Sequence, residues 1–267
     1  MKLRQTFGSD KPVIGMVHLP PLPSAPLYDA KGGMAKIIES CARDIEALQS
    51  GGIDAIMFGN EGDRPYLLKA SPVTLAAMAF AIGELKRLIK VPFGVNYLWD
   101  PVATVSLAVA SGASFAREIF TGVYDSDMGL WAPDAATALR IRSDCQRADL
   151  KLMFNINAEF ASPVGTRSIA QRAKSAVFSS LADVVLVSGP MTGQPAETAD
   201  LKLAKDALPT TPVFANTGVN IDNVGDILKI ADGCVIGSHL KVDGNTWNNI
   251  DKVRVKRFMD KVRKLRK

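Results

Sequence analysis

The sequence predicts a (βα)8 barrel, or TIM barrel, formed by a single domain over residues 1–267. Short apolar segments recur about every 30 residues, and each precedes a segment with helical periodicity. Eight such units fit a chain of 267 residues, because barrels of this class contain about 250 residues. The apolar segments hardly alternate with polar residues, which is typical of parallel strands covered by helices.

The strands are predicted from these apolar segments and from the residues that bound them. Asp54, Asp183 and Asp232 directly precede three of the segments, at the expected N-terminal face of the sheet. The predicted strands are 13–19, 55–58, 92–98, 114–120, 152–156, 184–187, 213–217 and 234–237. A doubly wound sheet is the alternative, but residues 18–21 after the first strand lack the glycine-rich turn of that fold.

The helices are predicted from their periodicity and from the residues that begin or end them. The first ends at Gly51-Gly52, the second begins after Ser71-Pro72, and the third ends at Gly112. The predicted helices are 34–49, 72–89, 101–110, 133–147, 168–180, 199–207, 221–230 and 251–265.

The composition favours an ordered, globular domain. Hydrophobic residues make up 47% of the chain and charged residues 22%, which argues against disorder. The first ten residues contain no apolar signal segment, so we expect a cytoplasmic protein. Cys41, Cys145 and Cys234 are far apart and lie in predicted helices or strands, so we expect them to be reduced and buried.

The net charge of +5 is concentrated in the last helix. Residues 252–267 contain nine basic residues and one acid, a charge of +8, so the remainder carries −3. The body is therefore not expected to bind nucleic acid. Apolar residues at helical spacing, 255, 258, 259 and 262, favour a packed helix with a solvated basic face. Peripheral contact with anionic lipid or an acidic partner is the alternative.

A phosphate-binding site is predicted after the last three strands. Each of these strands ends in small residues, where backbone amides converge without a side chain that blocks an anion. Barrels often bind phosphate after the seventh and eighth strands. Tight turns are the alternative explanation of the glycines. The candidate phosphate-binding residues are Thr192, Gly193, Gly218, Val219, Gly237 and Ser238.

Candidate catalytic residues lie at the predicted C-terminal ends of the strands, where barrel enzymes carry their active sites. His18 and His239 are the only two histidines, and both occur there. Asp63, Glu118 and Glu159 are candidate acids, bases or metal ligands. For the histidines a hydrogen-bonded rim position is the alternative, and for Glu118 it is an ion pair with Arg117.

Further polar residues at these ends are candidates for substrate binding: Asn60, Asn96, Asn155, Asn216 and Lys241. Schiff-base chemistry is disfavoured, because it requires a desolvated lysine on a strand. Thiol catalysis is disfavoured because no cysteine has a neighbouring base. The cofactor is unknown, although a divalent metal ion would supply an electrophile.

Several segments together resemble one protein family. They are 12–23 (PVIGMVHLPPLP), 51–55 (GGIDA), 94–96 (GVN), 192–193 (TG) and 231–244 (ADGCVIGSHLKVDG), with Asn60, Asp63 and Pro65. This pattern resembles the BtpA/SgcQ family over residues 12–259. The resemblance implies a barrel of the ribulose-phosphate-binding type. One branch of that family is tied to photosystem I biogenesis, and another occurs among sugar-utilisation genes.

The chain departs from the family pattern at the ends of the second to fifth strands. It has Gly59-Asn60 for Glu-Asn, 97–100 (YLWD) where Arg-Asn-Asp is usual, Arg117-Glu118-Ile119 for Arg-Val-Asn, and 155–159 (NINAE) where Lys-His is usual. The departures imply a different substrate from that of typical members, or a loss of catalysis.

The favoured hypothesis is an enzyme that acts on a phosphorylated sugar or similar small metabolite. Its reaction would be of the isomerase, epimerase, aldolase or lyase type, assisted by acid/base groups or a metal. The alternative is a catalytically inert barrel that serves as a binding factor or assembles a membrane complex. The proline-rich segment 20–26 is a candidate interface in a homo-oligomer.

Overall fold

Eight parallel strands close into a barrel in the computed structural model, which describes residues 2–266. The strands of the chain are β1 (Val13–His18), β2 (Ala55–Gly59), β3 (Phe93–Asn96), β4 (Phe115–Glu118), β5 (Tyr124–Ser126), β6 (Gly129–Trp131), β7 (Lys151–Asn155), β8 (Ala161–Pro163), β9 (Val184–Ser188), β10 (Val213–Asn216) and β11 (Gly233–Ile236). The barrel runs β1-β2-β3-β4-β7-β9-β10-β11 and closes on β1, which confirms the predicted fold class.

Helices alternate with the barrel strands and cover them. They are α1 (Leu3–Phe7), α2 (Gly33–Gly51), α3 (Pro72–Leu85), α4 (Pro101–Ser111), α5 (Ala135–Asp144), α6 (Ile169–Phe178), α7 (Thr198–Ala207), α8 (Val224–Ile230) and α9 (Lys252–Leu265). The second predicted helix is shorter than expected, because the chain tightens after α3 into a 3-10 turn over Lys86–Leu88. An outer apolar core lies between the helices and the barrel.

Aspartates fix the strand ends at the N-terminal face. Carboxylates of Asp54, Asp183 and Asp232 accept hydrogen bonds from the backbone N–H of the first or second residue of a neighbouring strand, at 2.8–2.9 Å. Each aspartate precedes its own strand and so ties two strands together. Each also pairs with a basic side chain: Arg266, Arg142 and Lys205 respectively.

The N-terminal helix α1 closes the bottom of the barrel and was not predicted. Phe7 inserts between Phe115 and Phe214, with ring centroids 5.2 and 6.2 Å away. Leu3 joins the same inner core, which includes Met16 of β1. Phe7 and Leu3 therefore fill the N-terminal end of the barrel interior.

A small antiparallel sheet, which we call the roof, covers part of the opposite end. It consists of β5, β6 and β8, in segments predicted as loops. Trp131 of β6 packs edge-on against Trp99, with centroids 4.7 Å apart, and Tyr124 completes the cluster. The roof therefore covers the mouth over β3, β4 and β7.

The last helix packs as the favoured interpretation expects. Val255, Phe258, Met259 and Val262 are buried, and α9 packs against α2. The basic face of α9 is exposed, together with the apolar residues Val253 and Leu265 near its two ends. Across residues 2–266, the structure contains no helix both long enough and apolar enough to cross a membrane. One cysteine expectation is wrong: Cys145 is exposed, because it follows the end of α5, whereas Cys41 and Cys234 are buried.

Candidate active site

Alternation along the strands builds a polar layer at the C-terminal end of the barrel. Met16, Phe115, Met153, Leu186 and Phe214 belong to the inner core. Since side chains two apart on a strand share a face, the next inward residue of each strand follows two positions later. These residues are His18, Arg117, Asn155, Ser188 and Asn216.

Arg117 lies at the centre of this layer and is buried. Its Nη1 donates to Oδ1 of Asn96 at 2.8 Å, and its Nε donates to Oδ1 of Asn155 at 3.2 Å. Nη2 lies 3.5 Å from Oε1 of Glu159. The ion pair is therefore made with Glu159, and the alternative pair with Glu118 is not formed among the described residues.

A cavity of about 460 Å³ opens above this layer, and we call it the main cavity. Arg117, His18 and Glu61 line its inner part. The side toward β9, β10 and β11 is lined by all six residues predicted to bind phosphate. The structure thus brings the predicted phosphate residues together beside ionisable side chains.

The side toward β9, β10 and β11, which we call the cup, presents unused backbone donors. Within residues 2–266, the amides of Gly218, Val219, Ser238 and His239 donate to no other group. Thr217 links two of the loops, because its Oγ1 accepts from the amide of Gly189 at 2.6 Å. Converging amides of this kind suit an anion.

Glycine is needed at two positions of the cup, for different structural reasons. A Cβ at Gly218 would lie 2.0 Å from the backbone nitrogen of Pro195, and its φ is +57°. Loop packing therefore requires glycine there, whether or not an anion binds. A Cβ at Gly237 would lie 3.1 Å from Cε1 of His18, so this glycine brings the cup against the imidazole.

His18 and Glu61 form a buried pair on the inner wall. Nε2 of His18 lies 3.3 Å from Oε1 of Glu61. Burial, and then the cations Lys241 and Arg117, hold the pKa of His18 well below its usual range. Burial raises the pKa of Glu61 to about 7. Near neutral pH the imidazole is neutral, while Glu61 can hold or release its proton.

Glu159 connects the two parts of the main cavity. Its Oε2 accepts from Oγ1 of Thr192 at 2.9 Å, and its Oε1 accepts from Nδ2 of Asn216 at 3.4 Å. Burial raises its pKa, and Arg117 opposes that shift. Glu159 therefore positions the predicted phosphate residue Thr192 as well as facing the guanidinium.

Glu118 lies under the roof, in a chamber of about 40 Å³ beside the main cavity. Its carboxylate accepts from Nδ2 of Asn96 and, at 2.8 Å, from the amide of Ile119. Burial raises the pKa of Glu118 to about 8. Asn155, which lines the same chamber, donates to Oγ of Ser188 at 2.6 Å.

His239 lies at the rim of the main cavity. Its Nε2 accepts from the amide of Ile221 at 3.3 Å, which requires the neutral ring with its proton on Nδ1. Burial lowers its pKa, and Arg254 adds to the effect. The hydrogen-bonded rim position considered above describes this histidine, whereas His18 lies deeper in the wall.

Asp63, Asn60 and Lys241 line neither the main cavity nor the chamber of Glu118. Asp63 accepts from the amide of Leu22 at 2.8 Å and from Nδ2 of Asn60 at 3.0 Å, so both side chains hold loops together. Burial raises the pKa of Asp63. Lys241 is buried in a neighbouring cavity, where Nζ donates to the carbonyl of Asn248 at 3.0 Å.

Glu61 and Arg117 belong to the centre of the site, although neither was among the candidate catalytic or binding residues. Arg117 is two positions after the inward Phe115, so strand phase alone places it inside the barrel. Glu61 follows β2 in a 3-10 turn and folds back over Gly59. A Cβ at Gly59 would lie 2.4 Å from Oε2 of Glu61, so the glycine leaves room for the carboxylate. No group of three or more His, Cys, Asp or Glu side chains among residues 2–266 is arranged to hold a metal ion.

Comparison with solved structures shows the same fold in enzymes of low sequence identity. The (S)-3-O-geranylgeranylglyceryl phosphate synthase from Thermoplasma acidophilum, solved with sn-glycerol-1-phosphate, has a TM-score of 0.61 at 13% identity, over 98% of this chain and 97% of that one. Phosphoribosyl anthranilate isomerase from Thermus thermophilus has a TM-score of 0.59 at 12% identity, over 95% and 99%.

Sequence relatives are far closer. SgcQ, a protein of the sgc region in Escherichia coli (strain K12), is 46% identical over 265 residues, which cover 99% of both chains. The photosystem I biogenesis protein BtpA of Synechocystis sp. (strain ATCC 27184 / PCC 6803 / Kazusa) is 35% identical over 264 residues, covering 97% of this chain and 91% of that one. The model of the BtpA family matches residues 9–264. The chain therefore belongs to the BtpA family.

Proposed function

We propose that this protein is an enzyme that binds a small phosphorylated metabolite in the main cavity and transfers protons on it. One observation carries the proposal: unused amides of the cup and the buried pair His18–Glu61 line the same cavity. A phosphate held by the cup places the remainder of the molecule against that pair. The reaction is then an isomerisation, an epimerisation or a lyase cleavage through a carbanion-like intermediate.

The charges of the inner wall suit this chemistry. Glu61 has a pKa of about 7, so it can accept or donate a proton near neutral pH, as general acid/base catalysis requires. Arg117 stands in the same wall, with two of its nitrogens tied to asparagines. A fixed guanidinium stabilises negative charge that develops on a substrate oxygen.

A phosphate ligand is supported by the composition of the cup as well as by its amides. The candidate residues on that side bring no carboxylate, and Ser238 adds a hydroxyl group, whereas the hydroxyl of Thr192 donates to Glu159. Oγ of Ser238 already shares a hydrogen bond of 2.6 Å with Oγ1 of Thr246, so the hydroxyl is oriented. A synthase of the same fold was solved with sn-glycerol-1-phosphate. This agrees with the proposed ligand class, but the proposal does not depend on it.

Isothermal titration with inorganic phosphate and with glycerol phosphate tests the cup. We expect saturable binding by the wild-type protein, and a loss of at least about tenfold in affinity in Ser238→Asp, since the new carboxylate repels the anion. Thr210→Asp is the control. Thr210 is exposed beside the N-terminal end of β10, so this substitution adds the same charge far from the cup. Absence of binding at millimolar phosphate, or equal effects of both variants, would contradict the proposal.

The second candidate function is a binding or assembly factor at a membrane surface. It is favoured by the name of the 35% identical relative, a photosystem I biogenesis protein, and by the basic face of α9. Because the apolar face of α9 is buried, such a contact would be electrostatic. Flotation with anionic vesicles at low and high salt tests it, with Lys252→Glu/Arg257→Glu as the charge-reversed variant; no flotation of the wild type would remove this candidate.

A further inference from the structure

We propose that the substrate carries a second anionic group, which binds in a side cavity on the far side of His18. The inference rests on the proposed function, because it extends the same ligand beyond the main cavity. The side cavity has a volume of about 210 Å³ and lies between the loops that follow β1, β2 and β11. It is lined by Arg64, Lys241 and Trp247, among others.

The two cavities share a wall. His18 and Thr246 line both of them, so these two residues separate the cavities, and the proposed ligand would extend past the imidazole from one to the other. Nδ1 of His18 is buried and makes no well-formed hydrogen bond within residues 2–266, although the backbone of Thr246 lies near the imidazole. A buried polar atom without a partner requires an explanation, and a ligand bound beside it supplies one.

Arg64 supplies the charge for the second group. Its guanidinium lies over the ring of Trp247, 3.8 Å from the centroid, and Trp247 is half-exposed. Among the described residues no carboxylate lies within ion-pair distance of Arg64, and its nitrogens make no hydrogen bond. Stacking holds the guanidinium plane in place, so its N–H groups stay available for a carboxylate or phosphate.

The other charges of the side cavity cancel. Asp44 also lines it, but Oδ1 of Asp44 already accepts from the amide of Ile250 at 2.8 Å and from Nδ2 of Asn249 at 3.0 Å. Oδ2 of Asp44 lies 3.7 Å from Nζ of Lys241. This pair is neutral as a unit, so Arg64 leaves the side cavity with a net positive charge.

The substrate class that fits both cavities has a phosphate at one end and a carboxylate or a second phosphate at the other. Its central carbon atoms lie against His18 and Glu61, between the two anion sites. Carboxylate and phosphate share the geometry that a guanidinium binds with two parallel hydrogen bonds. Titration with two series of ligands, one ending in a carboxylate and one in a second phosphate, therefore distinguishes the two groups.

Competition titrations with three sets of probes test the inference. Glycerol phosphate is the probe with one anionic group, and α,ω-alkanediol bisphosphates and ω-phosphorylated carboxylic acids with about two to six carbons are the probes with two anionic groups. We expect an optimum length in at least one series, with affinity at least about tenfold above that of glycerol phosphate. Arg64→Gln should abolish this gain and leave glycerol phosphate binding within about twofold.

Arg257→Gln is the matched control, because Arg257 is another exposed arginine, on α9. Arg257→Gln should leave the affinity for every probe unchanged. If glycerol phosphate binds but no probe with two anionic groups binds more tightly, the second anion site is wrong while the proposed function stands. The same holds if the gain in affinity survives Arg64→Gln. If no phosphate compound binds, the proposed function fails and the inference fails with it.

Discussion

Nε2 of His18 lies 3.3 Å from Oε1 of Glu61, and more than nine-tenths of each side chain is buried. Oε2 of Glu61 and Nδ1 of His18 have no partner in the described part of the chain. A buried polar atom without a hydrogen bond costs about 1–3 kcal/mol of stability. The pair therefore destabilises the unliganded protein, as is common where residues are arranged for catalysis rather than for folding.

Glu61→Gln is expected to stabilise the protein above neutral pH. The carboxyl has a pKa of 4.5 when unfolded and about 7 when folded, so between these values the folded state binds more protons. Stability then falls as pH rises through this window, by about 3 kcal/mol in total. Glutamine removes the titration. Thermal melts from pH 4.5 to 8 should show a flatter profile for Glu61→Gln than for the wild type.

Glu84→Gln is the control for this series, because Glu84 is exposed on α3 and should follow the wild-type profile. The interpretation of Glu61 is wrong if its variant keeps the wild-type slope between pH 4.5 and 7.

His18 is expected to stay neutral through the pH range in which a free histidine titrates. Burial and the neighbouring cations lower its pKa well below 6.5. The protein contains only two histidines, so nitrogen-15 NMR spectra of the imidazoles need one variant, His239→Asn, for assignment. The remaining signals should show a neutral ring near pH 6.5. Protonation of His18 with a midpoint at or above 6.5 would contradict the neutral assignment.

The barrel could be predicted from sequence because its strands are continuous apolar segments and its helices have clear ends. The roof could not, since β5, β6 and β8 contain three residues each and become a sheet only by packing Trp131 on Trp99. The five-residue helix α1 is too short for periodicity to reveal. Its role appears only once the barrel leaves an open end for Phe7 to fill.

The candidate site likewise contains residues that could be predicted from the sequence and residues that could not. The cup was predictable, because small residues after three successive strands are a local pattern, and all six candidates line the main cavity. Asp63 and Asn60 were chosen for their chemistry at a strand end, but the loop after β2 directs them to each other and to the backbone. Glu61, between them, turns inward instead, and only the three-dimensional course of the turn shows this.

Gly218→Ala is expected to destabilise the protein by about 2–5 kcal/mol. The new Cβ would meet backbone atoms of Gln194 and Pro195 at 2.0–2.3 Å, and φ of +57° is strained for alanine. Gly83→Ala is the control within the same protein. A Cβ there meets nothing within 4 Å, and at this exposed position of α3 alanine should stabilise by about 0.5–1 kcal/mol. Urea denaturation of both variants measures the difference, and similar stabilities would show that the 194–195 loop can move away.

Trp131→Ala is expected to loosen the roof without unfolding the barrel. Trp131 is buried, and it supplies the edge-on contact with Trp99 and the packing on Tyr124. Its truncation removes about 3–5 kcal/mol of local packing. The roof packs on the mouth of the barrel rather than forming part of it, so local opening should absorb this loss.

Hydrogen exchange measured by mass spectrometry distinguishes the two elements. Amides of β5, β6 and β8 should exchange at least about tenfold faster in Trp131→Ala, while those of β1, β10 and β11 keep their wild-type rates. Trp247→Ala is the control of equal size, because Trp247 is half-exposed and belongs to the side cavity. Faster exchange throughout the barrel in Trp131→Ala would mean that roof and barrel open as one unit, since packing between Trp131 and Trp99 would then carry the opening into β3 and β4.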